Sequence, residues 1–138
     1  MIKKILVAYD ASEASEKAFR YALDIASRFQ ADIEIFGVIR PPDFGGTVEA
    51  TAMIEDGKKQ FHEHTRALRD QAHAAGVKVH YHLAVGQVAD QIVTHAHDEG
   101  FDLIVIGHRG KSLIQRWLTG STAKQVMGYA HCSVLMVR

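Results

Sequence analysis

The segment Gly107-His108-Arg109-Gly110-Lys111-Ser112-Leu113-Ile114-Gln115-Arg116-Trp117-Leu118-Thr119-Gly120-Ser121-Thr122 gathers the residue types best suited to holding an anion. Glycines at 107 and 110 let the main chain approach a ligand closely, because no Cβ stands between them. Gly120, Ser121 and Thr122 stand where a helix is predicted to open. Unpaired N–H groups and the positive dipole end attract phosphate there, and two hydroxyls add donors. A nucleotide could span both halves, with ribose and first phosphates on the glycines and its tail at the helix start. Any one of these glycines alone would read as a turn or cap. Among the charged residues, Arg109 lies between the two glycines and is the best placed to neutralise phosphate. Lys111 and Arg116 fit that role or a solvated surface equally well. His108 is the one histidine placed near a ligand. Gly110-Lys111-Ser112 matches the end of a P-loop, but the motif needs glycine at position 105, which is Val105. Counting from Gly107 instead leaves the loop two residues short, so a P-loop is excluded.

A second candidate is Asp10-Ala11-Ser12, where an acid follows an apolar run. Asp10 can contact a ligand, cap the following helix, or do both. Nine histidines include the pairs His62/His64, His80/His82 and His95/His97. On a helix, residues two apart lean to different faces, so only the strand pair His80/His82 could chelate, and no further ligands complete a zinc set. The expectation is no metal centre. Cys132, the single cysteine, lies in an apolar stretch and reads as an inert buried thiol. Trp117 and Leu118 read as anchors for their loop.

These residues need a scaffold. Ile5-Leu6-Val7-Ala8, Leu103-Ile104-Val105-Ile106 and Val134-Leu135-Met136-Val137 are short, continuous apolar runs, as expected of strands covered on both faces. Residues 32–39 form another. Residues 77–83 alternate, with Val77, Val79, Tyr81 and Leu83 on one face and Lys78, His80 and His82 on the other, predicting a half-exposed strand near a sheet edge. Between them, apolar residues recur at helical spacing: after the N-cap Ser12, over 51–75 up to Gly76, from Val88 to Gly100, and from Gly120 through Val126 and Ala130. Alternating strands and helices imply an α/β fold, a parallel sheet with right-handed crossovers and helices on both faces. Arg40 to Ala50, with both prolines, reads as a surface loop. In such sheets ligands bind beyond the carboxyl ends of the strands, where strand order reverses.

The chain has 138 residues, 47% hydrophobic and 23% charged, which points to one globular domain over 1–138. Sixteen basic residues balance sixteen acidic ones, giving no electrostatic drive toward nucleic acid or an anionic membrane surface. No apolar stretch approaches the ~20 residues of a membrane helix, so no membrane insertion is expected. The short apolar start does not suit a signal peptide, and one cysteine suits a reducing compartment, so a cytoplasmic location is expected.

The spacing Gly-x2-Gly-x9-Gly-Ser/Thr, filled by Gly107, Gly110, Gly120 and Ser121, resembles the ATP-binding branch of the universal stress protein family. The opening Lys4-Ile5-Leu6-Val7-Ala8-Tyr9-Asp10-Ala11-Ser12 looks like that family's first strand and Asp-Gly-Ser turn, and residues 130–138 look like its last strand. The resemblance covers the whole chain. It implies a Rossmann-like, five-stranded parallel sheet in the order 3-2-1-4-5, with ATP between strands one and four. By position it puts Asp10 at the adenine and ribose end, with Ala11 beside it in the candidate binding set, and the Val38 backbone at adenine. Gly107 and Gly110 then meet ribose and first phosphates, and Gly120, Ser121 and Thr122 the outer phosphates, while His108 and Arg109, in the same loop, join the candidate ligand-binding residues on their own chemistry. Mg²⁺ or Mn²⁺ with the nucleotide is left open. Two departures stand out: the usual glycine after the aspartate is Ala11, and the usual proline before the last strand is Ser133. The implied function is ATP-dependent regulation in a stress response, through a protein partner not identified by the sequence. Slow ATP hydrolysis or autophosphorylation, and a nucleotide-independent adaptor, are the alternatives; Asp10 is the only acid near the site, so at most weak ATPase activity is expected. The apolar last strand, Val134 to Val137, falls at a sheet edge in this order and predicts a homodimer.

Overall fold

The computed structural model describes residues 1–41, 46–108 and 120–138. Among them are five strands and four helices: β1 (Lys4–Ala8), α1 (Glu13–Phe29), β2 (Asp32–Ile39), α2 (Val48–Ala74), β3 (Val79–Val85), α3 (Val88–Asp98), β4 (Leu103–Gly107), α4 (Gly120–Tyr129) and β5 (Ser133–Val137). All strand pairs are parallel, in the order β3-β2-β1-β4-β5. This is the expected α/β sheet, and its two covered faces explain the continuous apolar runs.

In β1, Ile5 and Val7 point toward α1 and α2, packing with Phe19, Ala22, Ile35, Phe61 and Leu68. Leu6 and Ala8 point the other way, toward α3 and α4, with Phe36, Ile92, Ile104 and Val126. Each such fully buried aliphatic side chain contributes roughly 1.5–3 kcal/mol. Ser12 caps α1 as predicted: its hydroxyl accepts from Ser15 N at 3.1 Å. Gly76 (φ +73°) and Gly100 (φ +71°) end α2 and α3 in the left-handed conformation that glycine adopts without a Cβ clash.

Two boundaries differ from expectation. The helix α2 starts at Val48, inside the segment expected to be loop, because Thr47 serves as its N-cap and accepts from Ala50 N at 3.0 Å. The strand β3 starts at Val79, not Val77, because Val77 N is spent on Ala72 O at 2.9 Å, closing the end of α2. As predicted, β3 is an edge strand, largely exposed. His82 stacks on His95 of α3 at 4.8 Å and on Phe36 at 5.6 Å, while His95 Nε2 meets Glu34 Oε1. These rings fasten α3 to the sheet edge. Among the described residues, no three His, Cys, Asp or Glu side chains converge on a common point.

At the opposite end of the sheet, Asp102 ties the start of β1 to the start of β4. Its Oδ2 accepts from Lys3 N at 2.8 Å and Lys4 N at 3.0 Å. The Lys3 amide bond, then the Lys4 amide and the charges of the N-terminus and Lys3, hold its carboxyl below the ordinary 3.8, outweighing partial desolvation. A carboxylate favoured by folding contributes stability above its unfolded pKa and loses it as pH falls through the lower folded value. Asp102→Asn is therefore expected to lower the unfolding midpoint at neutral pH, with the difference from wild type shrinking in acid, once pH falls below the unfolded carboxylate value of about 3.9. Urea titrations at both pH values check this; a gap that ignores pH would show the charge of Asp102 to be irrelevant.

Candidate functional site

The strands β1 and β4 are paired only as far as Val7 and Val105. Beyond that point the two part. The chain after β1 turns toward β2: Ala8 pairs with Phe36, and Tyr9 N donates to Phe36 O at 2.9 Å. The last residues of β4 turn toward β5: Gly107 pairs with Val137, and His108 N donates to Val137 O at 2.8 Å. A crevice opens between them at the carboxyl end of the sheet, where strand order reverses. Because α4 leads back to the start of a strand parallel to β4, its N-terminus lies at this same end.

The sequence-derived residues fall around this crevice. Asp10 and Ala11 follow β1, Val38 nears the end of β2, Gly107 ends β4 with His108 next after it, and Gly120, Ser121 and Thr122 open α4. Ser121 is exposed and Thr122 half-buried, while Asp10 is 2% exposed. Arg109 and Gly110 lie outside the described residues, as do Lys111, Arg116, Trp117 and Leu118.

Asp10 is not the helix cap; Ser12 is. The Asp10 carboxylate instead accepts from Ser12 N at 3.0 Å, an Asx-type turn that steers the chain from β1 into α1. A buried polar knot completes it. Ser15 Oγ donates to Ser12 O at 2.9 Å, and Asp10 N donates weakly to Ser15 Oγ at 3.4 Å. The turn requires a left-handed residue between Asp10 and Ser12, and Ala11 takes it at φ +64°. Gly107 has a packing reason for its missing side chain: a Cβ there would stand 2.8 Å from the carbonyl carbon and oxygen of Ala14. The first turn of α1 thus rests directly on the end of β4. Cys132 is partly buried, and desolvation first of all pushes its thiol pKa up, consistent with an unreactive thiol.

One lining residue escapes sequence reasoning. Tyr9 follows the apolar run of β1 and looks like core, yet it helps line a small cavity of about 10 Å³ beside Asp10, Val38, Ile39, Phe61 and Leu83. Nothing in the linear pattern separates it from Val7, because only the turn at Asp10 and the position of α2 create that cavity.

A non-glycine residue in the left-handed region costs about 1–2 kcal/mol, partly offset by the greater unfolded-state freedom of glycine. Ala11→Gly is therefore expected to stabilise the fold by about 0.5–1 kcal/mol. Chemical denaturation checks this; a destabilised variant would mean that the Ala11 methyl contributes more by packing than its backbone loses by strain.

Comparison with known proteins agrees with this architecture. The profile of the universal stress protein family matches residues 1–138. A universal stress protein of Methanocaldococcus jannaschii is 33% identical over 141 residues, covering 100% of this chain and 83% of that protein. The structure of UspA from Lactobacillus plantarum superposes with a TM-score of 0.88 at 24% identity, over 99% of this chain and 98% of that one, a likeness of fold. A universal stress protein solved in complex with cAMP superposes with a TM-score of 0.76 at 27% identity, over 99% of this chain and 97% of that one. With a full-length family match and a relative sharing a third of its residues, the chain belongs to the universal stress protein family.

Proposed function

We propose that this chain binds ATP in the crevice between β1 and β4 and acts as a nucleotide-dependent regulatory protein in a stress response. The observation that carries the reading is the parting of β1 and β4 after Val7 and Val105, with the N-terminus of α4 at the same end of the sheet. An open α/β sheet binds ligands at such a point, and a helix N-terminus favours phosphate. The relative in complex with cAMP supports an adenine nucleotide as the ligand class. In this reading Asp10 and Val38 face the adenosine end, Gly107 and His108 the ribose and first phosphates, and Gly120, Ser121 and Thr122 the outer phosphates. Arg109 and Gly110 join the first-phosphate group. A Mg²⁺ or Mn²⁺ accompanying ATP would draw its ligands from phosphate oxygens and water, since no three metal-binding side chains converge among the described residues. ATP then shifts a conformational or partner-binding equilibrium by its differential affinity for the two states.

We further propose a cytoplasmic homodimer joined through β5. No helix among the described residues is long and apolar enough to cross a membrane. The strand β5 is a sheet edge, with Val134, Leu135 and Met136 only half-buried in the single chain. An apolar edge with unpaired main-chain groups is satisfied by a second copy across a two-fold axis.

Two substitutions test these readings. Gly120→Val should abolish ATP binding in calorimetry by crowding the helix start, while circular dichroism stays that of a folded protein; undiminished affinity would place the phosphates elsewhere. Mass spectrometry of nucleotide released from the purified protein should find ATP, whereas ADP would favour turnover. Leu135→Asp should give monomers or insoluble protein, and a dimer unchanged in light scattering would remove β5 from the interface.

A further inference from the structure

Tyr9 is 1% exposed, and its ring meets Phe61 of α2 edge-on, with centroids 6.3 Å apart. Among the described residues, its hydroxyl is the one buried side-chain oxygen or nitrogen without a hydrogen-bond partner. The Glu16 carboxylate is near enough to act on the phenol, yet the two do not form a hydrogen bond of normal distance and angle. Phenylalanine would fill the same space without the penalty of desolvating an unpaired hydroxyl. A buried polar group of this kind calls for an explanation.

The position of Tyr9 supplies one. It lines the cavity at the carboxyl ends of β1 and β2 together with Asp10 and Val38, the residues assigned above to the adenosine end. The other walls are Gly37, Ile39, Gly57, Phe61 and Leu83, so the lining is apolar apart from the phenol and one carboxylate. Such a lining suits a flat heterocycle oriented by few polar contacts. The cavity of about 10 Å³ holds one water, and the side chains of Phe61 and Ile39, packed over Gly37 and Gly57, close it, so a base enters only by displacing those two side chains.

We propose that Tyr9 Oη hydrogen-bonds the polar edge of the nucleotide's base and so helps select which base the site accepts. The assignment rests on the nucleotide reading above. Burial first, and then the Glu16 and Asp10 carboxylates, push the phenol pKa upward. The hydroxyl therefore stays protonated and keeps both a donor and an acceptor.

Tyr9→Phe removes the hydroxyl and keeps the ring. Calorimetry on the full chain, wild type and variant, would use AMP, its 1-, 3- and 7-deaza forms, and the purine ribonucleotide lacking the 6-amino group. The variant should bind AMP about tenfold more weakly. That penalty should vanish for the one analogue lacking the contacted atom. Thermal unfolding of the ligand-free variant should be unchanged or shifted upward, which a merely structural role for the hydroxyl would not give. Equal AMP affinities, or a penalty that persists with every analogue, overturns the role of Tyr9 and leaves the nucleotide reading intact. Failure of the wild type to bind either AMP or ATP overturns both.

Discussion

The backbone of Ala14 presses against Gly107, at a separation that would put any Cβ 2.8 Å from a carbonyl. That contact sets the whole upper end of the molecule. It lets the first turn of α1 descend onto β4, so the cap at Ser12 and the Asp10 turn come to lie beside the end of a strand they never pair with. The chain must leave β1 and enter α1 within Ala11 and its neighbours, and the left-handed backbone of Ala11 is the consequence. The buried hydrogen bonds among Asp10, Ser12 and Ser15 hold that strained residue in place. The glycine at the crevice is there for the helix as much as for any ligand.

The sheet reverses strand order at the same place. From Ile5 to Ala8 and from Leu103 to Gly107 its two middle strands are buried and carry no polar side chains, so the polar chemistry is forced to the loops at the carboxyl ends. The two edges are treated differently. The strand β3 exposes His80 and His82 and secures α3 through ring stacking. The strand β5 is apolar from Val134 to Val137. An edge that keeps charge and ring nitrogen outward resists pairing with another chain, and an apolar one invites it.

With sixteen charges of each sign, the chain has no net field to draw a polyanion. The proposed site fits that balance. It relies on main-chain dipoles and hydroxyls at a helix start more than on a cluster of cations, and it places apolar walls where a base would lie. Local geometry then provides the selectivity that bulk charge does not.

Most of the fold was readable in the linear sequence. Two-sided burial leaves a continuous apolar run in β1 and β4, edge exposure leaves alternation in β3, and helices on a core leave apolar residues at threes and fours. Those patterns follow from local periodicity and need no partner. The turn and cap residues Asp10, Ser12, Gly76 and Gly100, and the phosphate-like signature at Gly120-Ser121-Thr122, were visible for the same reason. Boundaries were not, because Thr47 and Val77 take their roles from hydrogen bonds that exist only once a helix has a definite start and end. Nor was the reason for Gly107, whose crowding comes from a residue more than ninety positions earlier, or the place of Tyr9, which looks like core until α2 folds across it. Pattern along the chain determined which residues form each element and which face of it is apolar. Only tertiary packing decided what those faces meet, since contacts between distant segments leave no period in the sequence.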